Sequence, residues 1–587
     1  MRLKICKGVK RTLIPDIKKI YKMGNQETKT TSTSSGFSTR QCQNCKKDFI
    51  IEPDDFAFYE KMDLPMPIMC PECRMKYLLA FWVFGRFRIA KSALSGKTII
   101  TVIPESAPFP IYERSEFVSD AWDPLTYGKD YNASRPFIEQ LVELQSKVPH
   151  PHQCGVKNLN CDWTDDVWES KDAYLTRSAA NVESIIYGYR IVNCKNSVDI
   201  TYSFDVERSY DCVYCFKSYN LKYSFNCRDC MDSLFLYDCR NCHDCFMCWN
   251  LRNQKYCILN QQYSKEEYEK KFKEYNLKSR AVIEELKKEF WQHIRQDAVH
   301  RENYNLLAVN SRGNFLANSK NCYHCYFWEE SENCRHCFRG FQSKEIIDSV
   351  GGFHREKCIL GVQDGYGYNT SCSLYTTNCR YSSYLDNCEE CEYCFGCVGL
   401  RKKKYCVLNK QYSKEEYESL VEKIKSDMKE RGEWGKFFPL SVAYCGYNIS
   451  LAQLMYPMAK EEALKFGAKW EETIEPHYEN IISGDDLPDA IDQVSDDITR
   501  QRILCPETKL SYNITKDELS FYREHGIPLP NRHFDWRTLE RFKPFSYMIK
   551  PQKGICYNCK KEVEHYYAPE LGFEKIACLE CYQREVA

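Results

Sequence analysis

The sequence predicts a multidomain, mainly β protein with helical segments, in which zinc ribbons at both ends flank a duplicated, cysteine-rich, β-solenoid-like repeat region. Three observations predict it. Two complete sets of paired cysteines stand near the termini, a cysteine ladder between them keeps phase every three residues, and that ladder recurs 149 positions later. The chain's 587 residues exceed one compact core, and 43% hydrophobic residues are enough for most of it to fold.

The 82 basic residues balance the 82 acidic ones. That balance excludes a protein working mainly by phosphate neutralisation over its whole surface, so any nucleic-acid contact is local. Thirty-five cysteines would suggest disulfides in an exported chain. Residues 1–22 are basic and lack an apolar signal core, and no run approaches a membrane span. A reducing cytoplasm is therefore expected, with thiols bound to metal or buried. Thr28–Thr39 reads as a flexible lead-in, and Met23 is an alternative start.

The first ribbon is carried by Cys42, Cys45, Cys70 and Cys73, and the second by Cys556, Cys559, Cys578 and Cys581. Each Cys-x2-Cys pair can form a tight turn presenting two thiolates, and two such pairs complete a tetrahedron around zinc. The segment between the pairs is expected to fold as strands. Four protein ligands leave no open position for catalysis, and zinc supplies on the order of 10 kcal/mol to so short a module. About two zinc ions per chain are expected. A shift of 463 positions lays Cys42 on Cys505 and Arg74 on Arg537, but Cys45, Cys70 and Cys73 on Thr508, His533 and Trp536. This third ribbon is expected to be zinc-free, with Trp536 filling the space by packing.

Between the ribbons, Cys230, Cys239, Cys242, Cys245, Cys248 and Cys257 recur as Cys379, Cys388, Cys391, Cys394, Cys397 and Cys406. All ten cysteines from Cys194 to Cys257 share one three-residue phase, filled elsewhere by Ser, Leu, Ile and Val. In the second copy Cys372 is the exception. Cys194, Cys212, Cys230 and Cys248 step by 18, which suggests a narrow β-solenoid of about 18 residues per coil. Asn226, Asp229, Asp238 and Asn241 are expected at corners and outer faces. The cysteines inside are read first as core packing, since free cysteine is a small, readily buried residue. Further metal is the alternative: zinc at Cys212, Cys215, Cys227 and Cys230, or iron–sulfur at Cys239/Cys242/Cys245/Cys248 and Cys388/Cys391/Cys394/Cys397. Those runs depart from ferredoxin spacing before the fourth cysteine.

Ser264 and Ser413 open polar helices at about 264–297 and 413–430. Residues 135–147 predict a helix led by Pro136, 450–470 an amphipathic helix and 471–500 an acidic connector. Gly96-Lys97-Thr98 lacks the earlier glycine of a phosphate loop, and Lys97–Ile103 reads as a strand. His150, His152 and Cys154 are read as unconnected loop residues, and Cys445 as buried packing. Arg86, Arg88 and Lys91 amid Phe84 and Phe87, with Arg401, Lys402, Lys403 and Lys404, are the candidate nucleic-acid contacts. The expected order is a basic flexible segment (1–39), ribbon one (40–78), a mixed α/β linker (79–160) and repeat copy one (161–262). A helical segment (263–300), copy two (301–411), a helical region (412–500), the zinc-free ribbon (501–545) and ribbon two (546–587) complete it.

Phe58-Tyr59, Cys70-Pro71-Glu72-Cys73-Arg74, Asp120-Ala121-Trp122-Asp123-Pro124-Leu125, Ser134-Arg135-Pro136-Phe137 and the Tyr-Ser-Lys-Glu-Glu-Tyr tails of both copies carry a family likeness. On them the chain resembles the long zinc-ribbon, cysteine-repeat proteins of candidate-phyla (Patescibacteria-type) bacteria. The resemblance implies zinc binding in the cytoplasm. The expected function is a non-enzymatic scaffold, its ribbons serving as heads for a nucleic-acid or protein partner and its repeats as a rigid spacer. The alternative is metal or redox handling in the repeats. An enzyme on a β-helix would need convergent acidic or histidine residues, and the repeats show none recurring.

Overall fold

The computed structural model describes residues 38–472, 481–544 and 548–586. The basic flexible segment and the alternative start at Met23, expected within residues 1–37, lie outside the described residues, as do 473–480 of the acidic connector.

The first ribbon pairs Ser38–Gln41 with Asp48–Ile51 in an antiparallel hairpin, then forms helices α1 (Pro53–Lys61) and α2 (Pro71–Leu79). The segment between its cysteine pairs is thus one strand and a helix, a correction to the expected strands. Pro53 and the capping-box residue Asp55 start α1 where another strand would have begun. A second hairpin pairs Arg88–Lys91 with Thr98–Thr101, the expected strand after Lys97, and leads to the short α3 (Arg114–Phe117). The helix expected at 135–147 is α4 (Phe137–Gln145), with Pro136 at its N-cap.

From Thr164 to Ile258, and again from Arg312 to Val407, the strands form long parallel ladders. Residues pair with those twelve positions on: Ile200 with Cys212, Leu221 with Ser233, Ile346 with Cys358 and Cys394 with Cys406. The expected eighteen-residue spacing is therefore corrected. Twelve and eighteen are both multiples of three, so cysteines in a three-residue phase fit either, and only backbone pairing separates them.

The period of three comes from the backbone. Every third residue adopts a left-handed φ, as at Asn226 (56°), Asp229 (53°), Asp238 (52°) and Asn241 (50°), the residues expected at corners. Asn and Asp enter that region most readily, and no described residue there is Val, Ile or Thr. The left-handed residue donates its N–H to a carbonyl thirteen positions back (Tyr202 to Tyr189, 2.9 Å). The outer residue of each triplet donates eleven positions ahead (Phe204 to Cys215, 2.9 Å).

The inward residue's N–H turns to the interior. Where serine lies twelve positions back, it donates to that hydroxyl: Ser209 N–H to Ser197 Oγ at 3.0 Å, Cys245 N–H to Ser233 Oγ at 3.0 Å. The serine in turn donates to the carbonyl two residues before it. Inward thiols do the same, as Cys194 Sγ does to the carbonyls of Val192 and Ser203, both at 3.4 Å. Small side chains with one polar atom satisfy these buried backbone groups, which explains the Cys/Ser composition of the interior. In the second ladder Trp328, Arg355 and Asp364 also point inward, and glycines make room. A Cβ on Gly352 (φ +125°) would meet Arg355 Cζ at 2.6 Å.

Both ladders close with a short antiparallel strand and then a helix N-capped by Ser264 or Ser413, each in a capping box with Glu267 or Glu416. After the first ladder the expected single helix is two, α5 (Lys265–Phe272) and α6 (Arg280–Gln296), because Ser279 caps a new start. After the second comes α7 (Lys414–Glu430). The helix expected at 450–470 is likewise divided, into α8 (Leu451–Met455) and α9 (Lys460–Lys465), with Pro457 between. The later ribbons contribute α10 (Lys516–Glu524), α11 (Phe534–Phe542) and α12 (Leu579–Val586).

The ribbons lie against the ladders. Arg74 Nε donates to Asp348 Oδ1 at 2.8 Å, seating the first ribbon on the second ladder. Arg537 and Arg541 reach Asp199 at 2.8 and 2.7 Å, seating the third on the first ladder. Asp199 and Asp348 stand 149 positions apart, the offset of the repeat copies, and Arg74 and Arg537 stand 463 apart, the offset of the ribbons.

Candidate metal centres

The first cysteine pair sits on a hairpin turn. Cys42 N–H donates to Lys47 O at 2.9 Å, Lys46 N–H returns to Cys42 O at 3.0 Å, and Lys46 is left-handed (φ 61°). The second pair starts α2: Cys70 is its N-cap, Pro71 its first residue, and Cys73 lies in its first turn. That brings two thiols to the positive end of a helix. The four Sγ atoms lie within 4.8 Å of one another, with Cys45 and Cys70 3.7 Å apart. A tetrahedral zinc–thiolate site with bonds of about 2.3 Å has sulfur–sulfur edges of about 3.8 Å, so the donor set fits such an ion. Asn44 donates to Cys73 Sγ at 3.2 Å, an outer contact that orients a ligand.

The C-terminal set repeats this geometry. Cys556 N–H donates to Lys561 O at 2.8 Å, Lys560 is left-handed (φ 63°), and Cys578 immediately precedes α12. Its four Sγ atoms also lie within 4.8 Å, with Cys559 and Cys578 3.7 Å apart. Hydrogen bonding by Cys73 draws the Cys70 thiol down to about 5. Burial pushes the Cys556 thiol up, but hydrogen bonds from backbone N–H groups around Cys578 and Cys559 outweigh it and bring it down to about 6. The two tetra-cysteine sets can hold two metal ions.

Two further modules keep the ribbon turn without the four-cysteine set. In the third, Cys505 N–H donates to Leu510 O at 2.8 Å and Lys509 is left-handed (φ 59°). His533 caps α11, its Nδ1 accepting from Asp535 N–H at 3.0 Å. Trp536, expected to fill the space of the missing ligand, is half-buried and lines a cleft toward α6 and the first ladder. The reason is positional: it projects from the first turn of α11, beside the seat on that ladder.

The other module was not foreseen. Ser92 N–H donates to Lys97 O at 2.9 Å, Gly96 N–H returns to Ser92 O at 2.9 Å, and Gly96 is left-handed (φ 75°), as in the ribbons. Glu113 then caps α3 as Cys70 caps α2. Ser92, Ser95, Glu113 and Glu116 occupy the four ligand positions. Ser92 Oγ bonds the Glu116 carboxylate and accepts from Glu113 N–H at 3.2 Å. Ser92 and Ser95 draw the Glu116 carboxyl below its ordinary value. Hydrogen bonds thus close the turn where thiolates could hold an ion. A search for cysteine and histidine passes over this module; its signal is Ser-x2-Ser before the turn glycine and Glu-x2-Glu at the helix start.

Cys212, Cys215, Cys227 and Cys230, Cys239, Cys242, Cys245 and Cys248, and Cys388, Cys391, Cys394 and Cys397 all face the ladder interiors, buried. Among the described residues only the two terminal sets gather three or more ligand atoms within 4.8 Å. Burial pushes Cys215, Cys239 and Cys388 well above the ordinary thiol range. Cys372, the exception in phase, is a left-handed residue facing away from the interior row, with its Sγ 3.9 Å from Lys436 O.

Most of the basic candidates have partners within the chain. Arg86 lies 3.6 Å from Asp535, Arg88 donates to Ile103 O at 2.7 Å, and Lys91 to Thr98 Oγ1 at 2.8 Å. Arg401 bonds the carbonyls of Phe117 and Ser119, and Lys404 pairs with Glu392 at 2.5 Å; Lys402 is exposed and Lys403 half-buried. Phe84 and Phe87 are covered by the Arg177 guanidinium at 4.8 and 4.6 Å, so that aromatic pair is occupied from inside.

His150, His152 and Cys154 do not converge. His150 pairs with Asp386 at 3.0 Å, both side chains fully buried, while His152 accepts from Arg114 N–H at 2.9 Å. Burial lowers His152 to about 4 and raises Cys445 to about 12. No helix among the described residues is long and apolar enough to cross a membrane. No family model matches the chain, and no curated protein is similar to it.

Proposed function

We propose that the chain is a non-enzymatic zinc-binding scaffold. In this reading the two ladders are duplicated solenoids of twelve-residue coils, and the ribbons are recognition heads for a nucleic-acid or protein partner. The observation that carries it is the pair of tetra-cysteine sets, each with its four sulfurs within 4.8 Å and one sulfur–sulfur distance of 3.7 Å, which as four protein ligands leave no side for substrate. Two related modules hold the same turn without a complete cysteine set, which supports a structural role for the ion. A reducing cytoplasm fits the unpaired state of the described cysteines.

One observation favours a second reading. Inward cysteines stand in rows at the twelve-residue pairing distance, as Cys245 beside Cys257 and Cys394 beside Cys406, and soft metals bind thiol pairs. Metal content of anaerobically purified protein, with a visible spectrum, separates the two. About two zinc ions per chain and no colour are expected of the scaffold. Four or more zinc ions, or iron–sulfur absorption near about 400 nm, would overturn it in favour of metal handling.

A further inference from the structure

A cleft of about 410 Å³ opens between the first ladder, α6 and α11, a volume within the range of small-ligand sites. Its walls carry seven basic side chains against four acidic ones. Two of the seven are answered outside the cleft, Arg532 by Asp485 at 2.7 Å and Arg280 by the Leu487 carbonyl at 3.0 Å, which leaves five basic side chains against four acidic ones. Inside it, Asp199 is met by both Arg537 and Arg541, and Asp211 by Lys287 at 3.3 Å. Glu284 and Glu540 also line the walls, Glu284 3.4 Å from Lys287 and Glu540 held by Lys543.

After these pairings the site keeps a positive surplus. Arg537 retains a buried Nη2 without a hydrogen-bond partner, and Arg295, exposed on the last turn of α6, is in no ion pair among the described residues. Two half-buried indoles complete the lining. Trp291 belongs to α6 and Trp536 to α11, and Trp536 stacks on no other ring among the described residues. Guanidinium groups match phosphate oxygens in a fork, and an indole face stacks on a planar base.

We propose that this cleft binds a nucleotide, its phosphate toward Arg537 and Arg295 and its base against a tryptophan. The same chemistry belongs to a free mononucleotide and to the 5′-terminal nucleotide of a single strand. The inference stands apart from the metal reading, since no cysteine ligand lines the cleft. Calorimetry on the full chain with AMP, a 5′-phosphorylated tetranucleotide and inorganic phosphate tests it. AMP or the tetranucleotide is expected to bind, at least about tenfold more tightly than phosphate, because stacking adds to charge. Binding of both assigns the free nucleotide as sufficient, and binding of the tetranucleotide alone assigns the strand. Trp536→Ala and the surface change Arg295→Glu should each weaken binding about tenfold or more. Absence of binding by both nucleotides, equal binding of phosphate, or unchanged affinity in Arg295→Glu would overturn the proposal; that variant serves even where Trp536→Ala does not fold.

Discussion

Single carboxylates decide where the ribbons sit. Asp348 is fully buried and answered by Arg74 and Tyr59, while Asp199 is answered by Arg537 and Arg541. Next to these seats lies a second acid in each ribbon, Asp55 and Glu518, again 463 positions apart. Burial raises Asp55 to about 6 and Glu518 to about 7. An acid raised in the fold favours folding when protonated, so its contribution is complete below its unfolded value and is lost as pH rises through the folded one. For Glu518 that window runs from the ordinary 4.5 up to about 7. Urea midpoints of the wild type should therefore fall relative to Glu518→Gln across this window, glutamine preserving the capping box with Thr515. A difference between the two proteins that stays constant with pH would contradict this.

At the scale of the element, the ladder is governed by its inward backbone groups. Ser233 accepts from Cys245 N–H and donates to Met231 O. Ser233→Ala removes both and leaves a buried N–H unsatisfied, an expected loss of about 1–3 kcal/mol. Ser233→Cys should lose less, since a thiol retains a weak donor and acceptor in nearly the same volume. Denaturant melts of the two variants check the order, and equal losses would count against the hydrogen-bond account of the interior. The same physics explains what was legible here. Serine caps on α5 and α7 stood in the sequence because capping is local. The breaks at Ser279 and Pro457 were present as residues but were outweighed by helical periodicity read over long windows.

For the whole molecule, the first and third ribbons pack along the ladders, and the first also carries one of the two candidate metal sets. Cys70→Ser/Cys73→Ser should lose one metal ion and unfold the first ribbon while leaving the repeats folded, because the ladder's backbone pairing does not pass through that ribbon. Metal content and far-ultraviolet circular dichroism of the double variant test this together. Loss of the ladder signal would show that the Arg74–Asp348 seat couples the two into one folding unit.

The sequence alone determined the two tetra-cysteine sets, the mainly β character, the three-residue phase and the capped helices that end the ladders. Each depends on residues close in the chain, where spacing maps directly onto geometry. Only the tertiary structure decided the twelve-residue pairing, the Ser/Glu module at 92–116 and the seating of the first and third ribbons on the ladders. Pairing length is set by hydrogen bonds between backbones, which side-chain phase does not encode. A ligand position refilled by serine and glutamate keeps the turn while losing the chemical signature of metal. Arg74 and Asp348 are 274 residues apart, and burial of that pair, invisible along the chain, is what makes it a contact.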